Sequence, residues 1–143
     1  MTGTVLGALV SIAGALVAGY SAWSAKRSAD GIDRRRHEIE HLDALADSFR
    51  NDYAAFMVAW PSKLSMETLT PMLFRAEILV AHPLTTPGLE VAVESVLNHT
   101  VRSLAAGGPI GDEINEFMST LRREVKSINA GIVEKRRLAN ARA

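Results

Sequence analysis

The residues whose types and spacing come closest to a catalytic pattern are His37, Glu38 and His41. Two histidines one helical turn apart can bind one zinc ion, while the glutamate between them activates a zinc-bound water. This chemistry needs a third protein ligand, and no later motif in the chain resembles a third-ligand pattern. The helical periodicity also places Ile39 toward the core and both histidines toward solvent. We therefore expect no metal site here.

No other residues in the chain form a nucleophilic, redox or phosphate-binding motif. The sequence contains no cysteine, and no serine lies in a G-x-S-x-G setting. The glycine-rich segment 107–111 lacks the lysine of a phosphate-binding loop, and a helix stop explains its glycines. His82 and His99 are single histidines near helix ends, where we expect caps or surface groups. The sequence thus predicts no enzyme activity and no cofactor.

One seven-residue frame, the heptad frame, runs unbroken from Thr4 to Trp60. Its a and d positions are Thr4, Gly7, Ser11, Gly14, Ala18, Ser21, Ala25, Ser28, Ile32, Arg35, Ile39, Leu42, Ala46, Phe49, Tyr53, Phe56 and Trp60. The first half consists of small residues, which let helices approach closely in lipid. The second half consists mostly of large apolar residues, which form the seam of a helix packed in water. The frame predicts a helix that leaves a membrane and enters a helical bundle.

The first half of the frame lies in an uncharged stretch, residues 4–23. At about 1.5 Å per residue, this stretch matches a hydrocarbon core of about 30 Å. Tyr20 and Trp23 lie at its end, where aromatic rings favour the headgroup level. The alternative is a cleaved signal peptide, for which Ala22 and Ser24 offer small residues. No Lys or Arg precedes the apolar run, however, and this argues against a signal peptide.

The basic residues instead follow the uncharged stretch, beginning with Lys26 and Arg27. The positive-inside bias then places the N-terminus outside and the rest of the chain in the cytoplasm. The alanine- and arginine-rich composition is typical of a high-GC bacterium or its phage. We expect a bacterial inner-membrane protein with an anchor (residues 1–25), a basic exit (residues 26–36) and a helical bundle with a basic tail (residues 30–143).

Small residues on one face of the predicted span favour self-association of the protein. The heptad reading, which favours left-handed helix pairs, assigns this packing to Gly7, Ser11, Gly14, Ala18 and Ser21. A second reading is a ladder of small residues with a four-residue step, which favours right-handed pairs. The alternative to both is a composition rich in glycine and alanine without a packing role.

Four helices are predicted after the span, two long and two short, and no strand pattern occurs. The first covers residues 30–60, with Gly31 as a weak point. Two helices open at Thr-Pro pairs, at residue 70 and residue 86, and end at His82 and Gly107. The last covers residues 113–138 after a cap near Asp112. Short connections favour antiparallel neighbours, so the predicted fold is all-α: one N-terminal transmembrane helix followed by an antiparallel four-helix cytoplasmic bundle.

Basic residues at the start of the first bundle helix and at the end of the last one are expected to face the lipid headgroups. If the last helix runs back toward the membrane, its basic end comes to the level of the first arginine cluster. This set comprises Lys26, Arg27, Arg34, Arg35, Arg36, Lys135, Arg136 and Arg137. The alternative is a set of solvated charges at helix ends, favoured there by the helix dipole.

An aromatic stripe ends the first bundle helix. Phe49, Tyr53, Phe56 and Trp60 continue the inward frame, so core packing is the main interpretation. The alternative is a partner-docking patch at the far end of the bundle, formed by Phe56, Trp60 and Leu64 together with Met66.

These features together predict an interaction protein. The 16 basic and 16 acidic residues balance and form no basic patch, so no nucleic-acid partner is expected. The expected partners are membrane lipids, further copies of the chain and a protein that binds the bundle. The alternative is a membrane-perturbing effector of the phage-lysis or anti-phage toxin type. In that case Thr4, Ser11 and Ser21 would line a narrow water-filled path through the membrane.

Overall fold

A computed structural model of the protein describes the backbone of residues 2–61, 63–109 and 111–141, and their side chains from Ala18 onward. These residues form helices and no strand, which confirms the all-α fold class. The described helices are α1 (Thr2–Val58), α2 (Met66–Ala81), α3 (Pro87–Ala105) and α4 (Glu113–Ala141). Both α1 and α3 pack against α2 and α4, so the helices form a four-helix bundle.

α1 is a single helix of 57 residues, roughly 85 Å long at about 1.5 Å per residue. The weak point predicted at Gly31 does not interrupt it, because one glycine costs only about 1 kcal/mol in a helix interior. An ion pair one turn further on, Arg36 Nε to Glu40 Oε1 at 2.9 Å, adds local support. One helix therefore carries both the predicted span and the first bundle helix. The sequence left open whether the predicted span and the first bundle helix are continuous, and the four helices of the predicted bundle are all present.

α2 begins earlier than the Thr70-Pro71 pair predicts. Ser65 is its N-cap, and its hydroxyl accepts a hydrogen bond from the Thr68 N–H at 3.2 Å. The Ser65 N–H in turn donates to the Thr68 hydroxyl at 2.9 Å, which completes a capping box. Pro71 consequently lies inside the helix. Two satisfied backbone donors at Ser65 and Thr68 stabilise the earlier start, at the cost of the hydrogen bond that proline cannot donate.

α3 begins and ends where the sequence predicts. Thr86 caps it through its side chain, and Pro87 occupies its first position. At the other end Gly107 adopts a φ of 65°, a conformation that glycine enters at little cost. The Gly108 N–H then donates to the Ser103 carbonyl at 3.3 Å, as in a Schellman motif.

The core of the bundle contains the inward stripes that the periodicity predicts. From α1 it receives Ala46, Phe49 and Phe56, with Tyr53 and Trp60 half-buried beside them. The buried apolar residues of the other helices are Leu69, Met72, Ala76, Leu79, Leu89, Ala92, Val93, Val96, Met118, Leu121, Val125, Ile128 and Ile132. The aromatic stripe is therefore part of the core, as its main interpretation predicts.

His82 ends α2 and belongs to this core. Its ring packs edge-on against Phe49, with 5.4 Å between the ring centroids. Its Nδ1 accepts a hydrogen bond from the Leu84 N–H at 3.1 Å, so the ring keeps a polar partner while buried. The prediction of a cap is confirmed, and the surface alternative is wrong.

Within the described residues, no helix is long and apolar enough to cross a membrane. The predicted span covers residues 4–23. Residues 4–17 of that stretch lie outside the described side chains. The span and the packing assigned to Gly7, Ser11 and Gly14 thus stay predictions.

Candidate functional site

The N-terminal part of α1, below the bundle in the orientation used here, projects from the rest of the chain. Every residue from 18 to 30 is exposed, and Ile32 is still 60% exposed although it lies on the heptad frame. The first fully buried residue of the frame is Ala46. Residues 18–41, hereafter the stalk, therefore form a projecting helix whose sides are mostly bare.

Aromatic and basic side chains cluster near the lower end of the stalk. Tyr20 and Trp23 are 70% and 55% exposed, and their ring centroids lie 6.0 Å apart. The guanidinium carbon of Arg27 lies 5.3 Å from the centroid of the Trp23 ring, within cation–π range. Amphipathic rings followed at once by a cation are typical of a membrane–water boundary.

One ion pair shows which residues of α1 lie beside the end of α4. Arg136 Nη1 lies 3.6 Å from Asp43 Oδ1, so the two helices run antiparallel with these residues opposite each other. Asp43 comes twenty residues after Trp23, or about 30 Å along the helix. The basic end of α4 thus lies beside α1 about one heptad C-terminal to Arg35. The two basic clusters therefore lie at different levels, whereas the sequence predicts one common level.

Several of the basic residues predicted to face lipid pair with carboxylates of their own chain. Arg137 donates two hydrogen bonds to the Glu134 carboxylate, both at 2.8 Å. These bonds lower the pKa of Glu134 and raise the pKa of Arg137. Arg36 donates a single hydrogen bond, from Nε to Glu40 Oε1 at 2.9 Å. Such exposed pairs contribute little to stability, and the contact of these residues with lipid stays a prediction.

A groove of about 380 Å³ opens where the end of α4 meets the stalk. Its walls are mainly apolar, and its rim carries charged side chains. It is lined by Ile32, Arg35, Arg36, Ile39, Glu40, Ala139 and Asn140. The groove exists because α2 and α3 end higher up, so that here only α4 packs against α1.

The two histidines of the zinc-protease pattern lie on the solvent side of the stalk. His37 and His41 are both exposed, as predicted. His37 Nδ1 lies 3.6 Å from Glu40 Oε2, a carboxylate on the same helix. Among the described residues, no three histidine or acidic side chains converge on a point that could hold a metal ion. The geometry thus provides no third ligand for this pair.

The residues of the predicted partner patch are largely buried. Phe56 is fully buried in the core, and Trp60 and Leu64 are half-buried. The apolar side chains that reach solvent near this end are Val58, 86% exposed, and Met66, 71% exposed. The heptad frame places Val58 at an f position, away from the seam, and Met66 belongs to the predicted patch.

A polar pocket of about 260 Å³ between α3 and α4 was not anticipated from the sequence. His99 Nδ1 lies 3.7 Å from Glu113 Oε2, and the His99 ring lies 5.4 Å from the Phe117 ring. The other ring nitrogen, Nε2, is buried without a hydrogen-bond partner. No sequence signal marks this pocket, because its two sides come from helices that meet only in the fold.

The chain matches no known protein family, no characterised protein and no solved structure. Function must therefore be argued from the chain itself.

Proposed function

We propose that this chain is a single-pass, membrane-anchored helical protein of the bacterial inner membrane. The first 25 residues insert in the bilayer, with the N-terminus outside, and α1 carries a helical bundle on the cytoplasmic side. The protein self-associates through Gly7, Ser11, Gly14, Ala18 and Ser21, and its bundle binds a protein partner. The observation that carries the proposal is the bare stalk, which continues directly into twenty uncharged residues.

The bare stalk supports this proposal because a helix without packing partners is only marginally stable in water. A bilayer would stabilise α1 at the start of the stalk, up to about residue 25, since a backbone in lipid must satisfy its hydrogen bonds within the helix. Tyr20, Trp23 and Arg27 would then lie at the headgroup level, where their chemistry is favoured.

The geometry restricts which basic residues contact lipid in this arrangement. With α1 along the membrane normal, Lys26 and Arg27 lie within about one turn of Trp23. The Arg34–Arg36 cluster lies about 17 to 20 Å away, and Arg136 about 30 Å away. Both distances exceed the Debye length of roughly 8 Å at physiological ionic strength. Lys26 and Arg27 are therefore the residues that bind headgroups.

The bundle is displayed at a distance from the bilayer, which suits capture of a cytoplasmic partner. Val58 lies 35 residues beyond Trp23, about 50 Å along α1. Val58 and Met66 expose apolar surface there, and Phe74 adds a 59% exposed ring on α2. These exposed side chains therefore form the proposed partner surface, in place of Phe56, Trp60 and Leu64.

Alkaline extraction of membranes that contain the full-length protein tests the proposal. We expect the protein to stay with the membrane, because a spanning helix is not released by loss of surface charge pairing. The double variant Val10→Arg and Ile12→Arg should be released, since each charge opposes insertion by about 2.5 to 3.5 kcal/mol. Val91→Arg, an exposed position on α3, is the matched control and should be retained. Release of the unaltered protein would refute the anchor.

The membrane-perturbing alternative requires a polar path along paired spans. The Ser21 hydroxyl donates a hydrogen bond to the Ala18 carbonyl of its own helix at 3.1 Å, which makes this face only weakly polar. Reconstitution in dye-loaded vesicles separates the two functions. We expect no leakage, whereas leakage that rises with protein concentration would favour the effector.

A further inference from the structure

The same face of α1 is covered at one end and bare at the other. Ala46 and Phe49, on the heptad frame, are buried by the protein's own bundle. Ala25, Ser28 and Ile32 continue that frame downward and are exposed. Because α1 is one uninterrupted helix, the frame does not change direction between these levels.

The bare part of this face carries no charge. Between residues 18 and 32 the charged and aromatic side chains all lie at b, c or f positions of the heptads: Tyr20, Trp23, Lys26, Arg27 and Asp30. The positions that flank the frame, e and g, hold Ala22, Ser24, Ala29 and Gly31. The result is an uncharged strip about 22 Å long on an otherwise charged helix. The small residues of this strip would let the backbone of a second helix approach closely.

The groove at the top of the strip extends the apolar surface. Ile32 and Ile39 form its floor together with Ala139 of α4, so the strip runs directly into it. Above the groove, α4 covers the frame within the same chain. Below the groove, no described residue of the chain covers the frame, since residues 18–30 are all exposed.

We propose that this strip, residues 18–32, binds the same surface of a second copy in a parallel helix pair. An uncharged face can meet its own copy without repulsion, whereas an anionic lipid or an acidic peptide would bind Lys26 and Arg27 on the other sides. The inference rests on the proposed function in one respect: paired spans with a common orientation make the stalks parallel. The pair ends at Arg35, where two guanidinium groups would face each other.

Because the native chain has no cysteine, single cysteines can map this contact in the full-length protein in membranes. Ala25→Cys, Ser28→Cys and Ile32→Cys place thiols on the frame. Asp30→Cys and His37→Cys are matched controls at f positions, on the far side of a paired helix. Disulfides form only where Cα atoms come within roughly 4.4 to 6.8 Å. We expect several-fold higher dimer yields under mild oxidation at the frame positions than at the controls.

Equal yields at Asp30→Cys and Ala25→Cys would overturn the inference, since no face would then be preferred. Cross-linking at Gly14→Cys without cross-linking at Ser28→Cys would also overturn it, while leaving self-association through the span intact. Absence of cross-links at all of these positions would reject both the stalk contact and the proposed self-association. A supporting result would be confirmed by Ile32→Asp, which should lower the yield at Ser28→Cys without affecting the bundle, because Ile32 is exposed.

Discussion

Arg136, near the end of α4, lies 3.6 Å from Asp43 of α1. The pair lies about 30 Å above Trp23, and α4 continues past it to Ala139 and Asn140, which line the groove with Ile32 and Ile39. The end of α4 divides α1 into a part that packs within the chain and a part that does not. Both side chains of the pair are substantially exposed, so the pair contributes little to stability. It serves mainly to identify the register of the two helices.

Phe49 should be a main contributor to the stability of the bundle. Its side chain is fully buried and packs against His82. Phe49→Ala should lower the free energy of unfolding by about 3 to 5 kcal/mol, through lost burial and the cavity left behind. Denaturant unfolding followed by circular dichroism measures this change. Val58→Ala is the control and should change stability little, because Val58 is exposed. Equal effects of the two variants would contradict the described core.

Gly88 and Glu124 should be energetically coupled. A Cβ built on Gly88 would lie close to the Glu124 carboxylate, at 2.5 Å from Oε2 and 3.0 Å from Cδ. Gly→Ala at a helical position ordinarily stabilises by roughly 0.5 to 1 kcal/mol. Here Gly88→Ala must displace the carboxylate from the start of α3, so we expect little or no gain. In a Glu124→Ala background the ordinary gain should return, and a double-mutant cycle measures the difference. Additive effects would show that the two residues are not in contact.

Tyr53 should make the bundle less stable at high pH. Burial raises the pKa of Tyr53 above its ordinary value of 10.0, and this effect exceeds the opposing influence of the nearby Arg122 guanidinium. The folded state therefore holds the phenolic proton more tightly than the unfolded state does. This stabilisation is complete below pH 10.0 and is lost as the pH rises through the folded pKa. The free energy of unfolding should fall less steeply above about pH 10 in Tyr53→Phe than in the unaltered protein. Identical slopes would contradict the assignment.

His37 and His41 should bind no zinc of structural or catalytic consequence. Both are exposed, and within the described part of the chain no third ligand lies near them. Addition of zinc should leave the melting temperature unchanged, and His37→Ala should behave as the unaltered protein does. A zinc-induced rise in melting temperature that His37→Ala abolishes would restore the metal interpretation.

The bundle could be predicted from the sequence because its signals are local. Thr86 and Gly107 mark the ends of α3 through their own backbone preferences. Thr70-Pro71 carries a similar signal and misleads, because the capping box of Ser65 and Thr68 starts α2 one turn sooner. Competing start signals cannot be ranked without knowing which hydrogen bonds form.

The stalk and the burial of His82 could not be predicted, because both depend on contacts distant in sequence. His82 is buried by Phe49, which precedes it by 33 residues. The heptad frame continues unchanged through Ile32 and Ala46, and only the end of α4 reveals where burial stops. The pattern of one helix indicates which face is apolar and does not identify what covers that face.

The mass of the full-length protein in a mild detergent, measured by light scattering, tests most directly whether the first half of α1 assembles the molecule. We predict a discrete oligomer for the full-length chain and a monomer for the fragment that begins at Ser28. Gly7→Leu combined with Gly14→Leu should weaken the oligomer, because large side chains keep the helices apart. A full-length protein that is monomeric, like its fragment, would contradict this account and reduce the segment to an anchor.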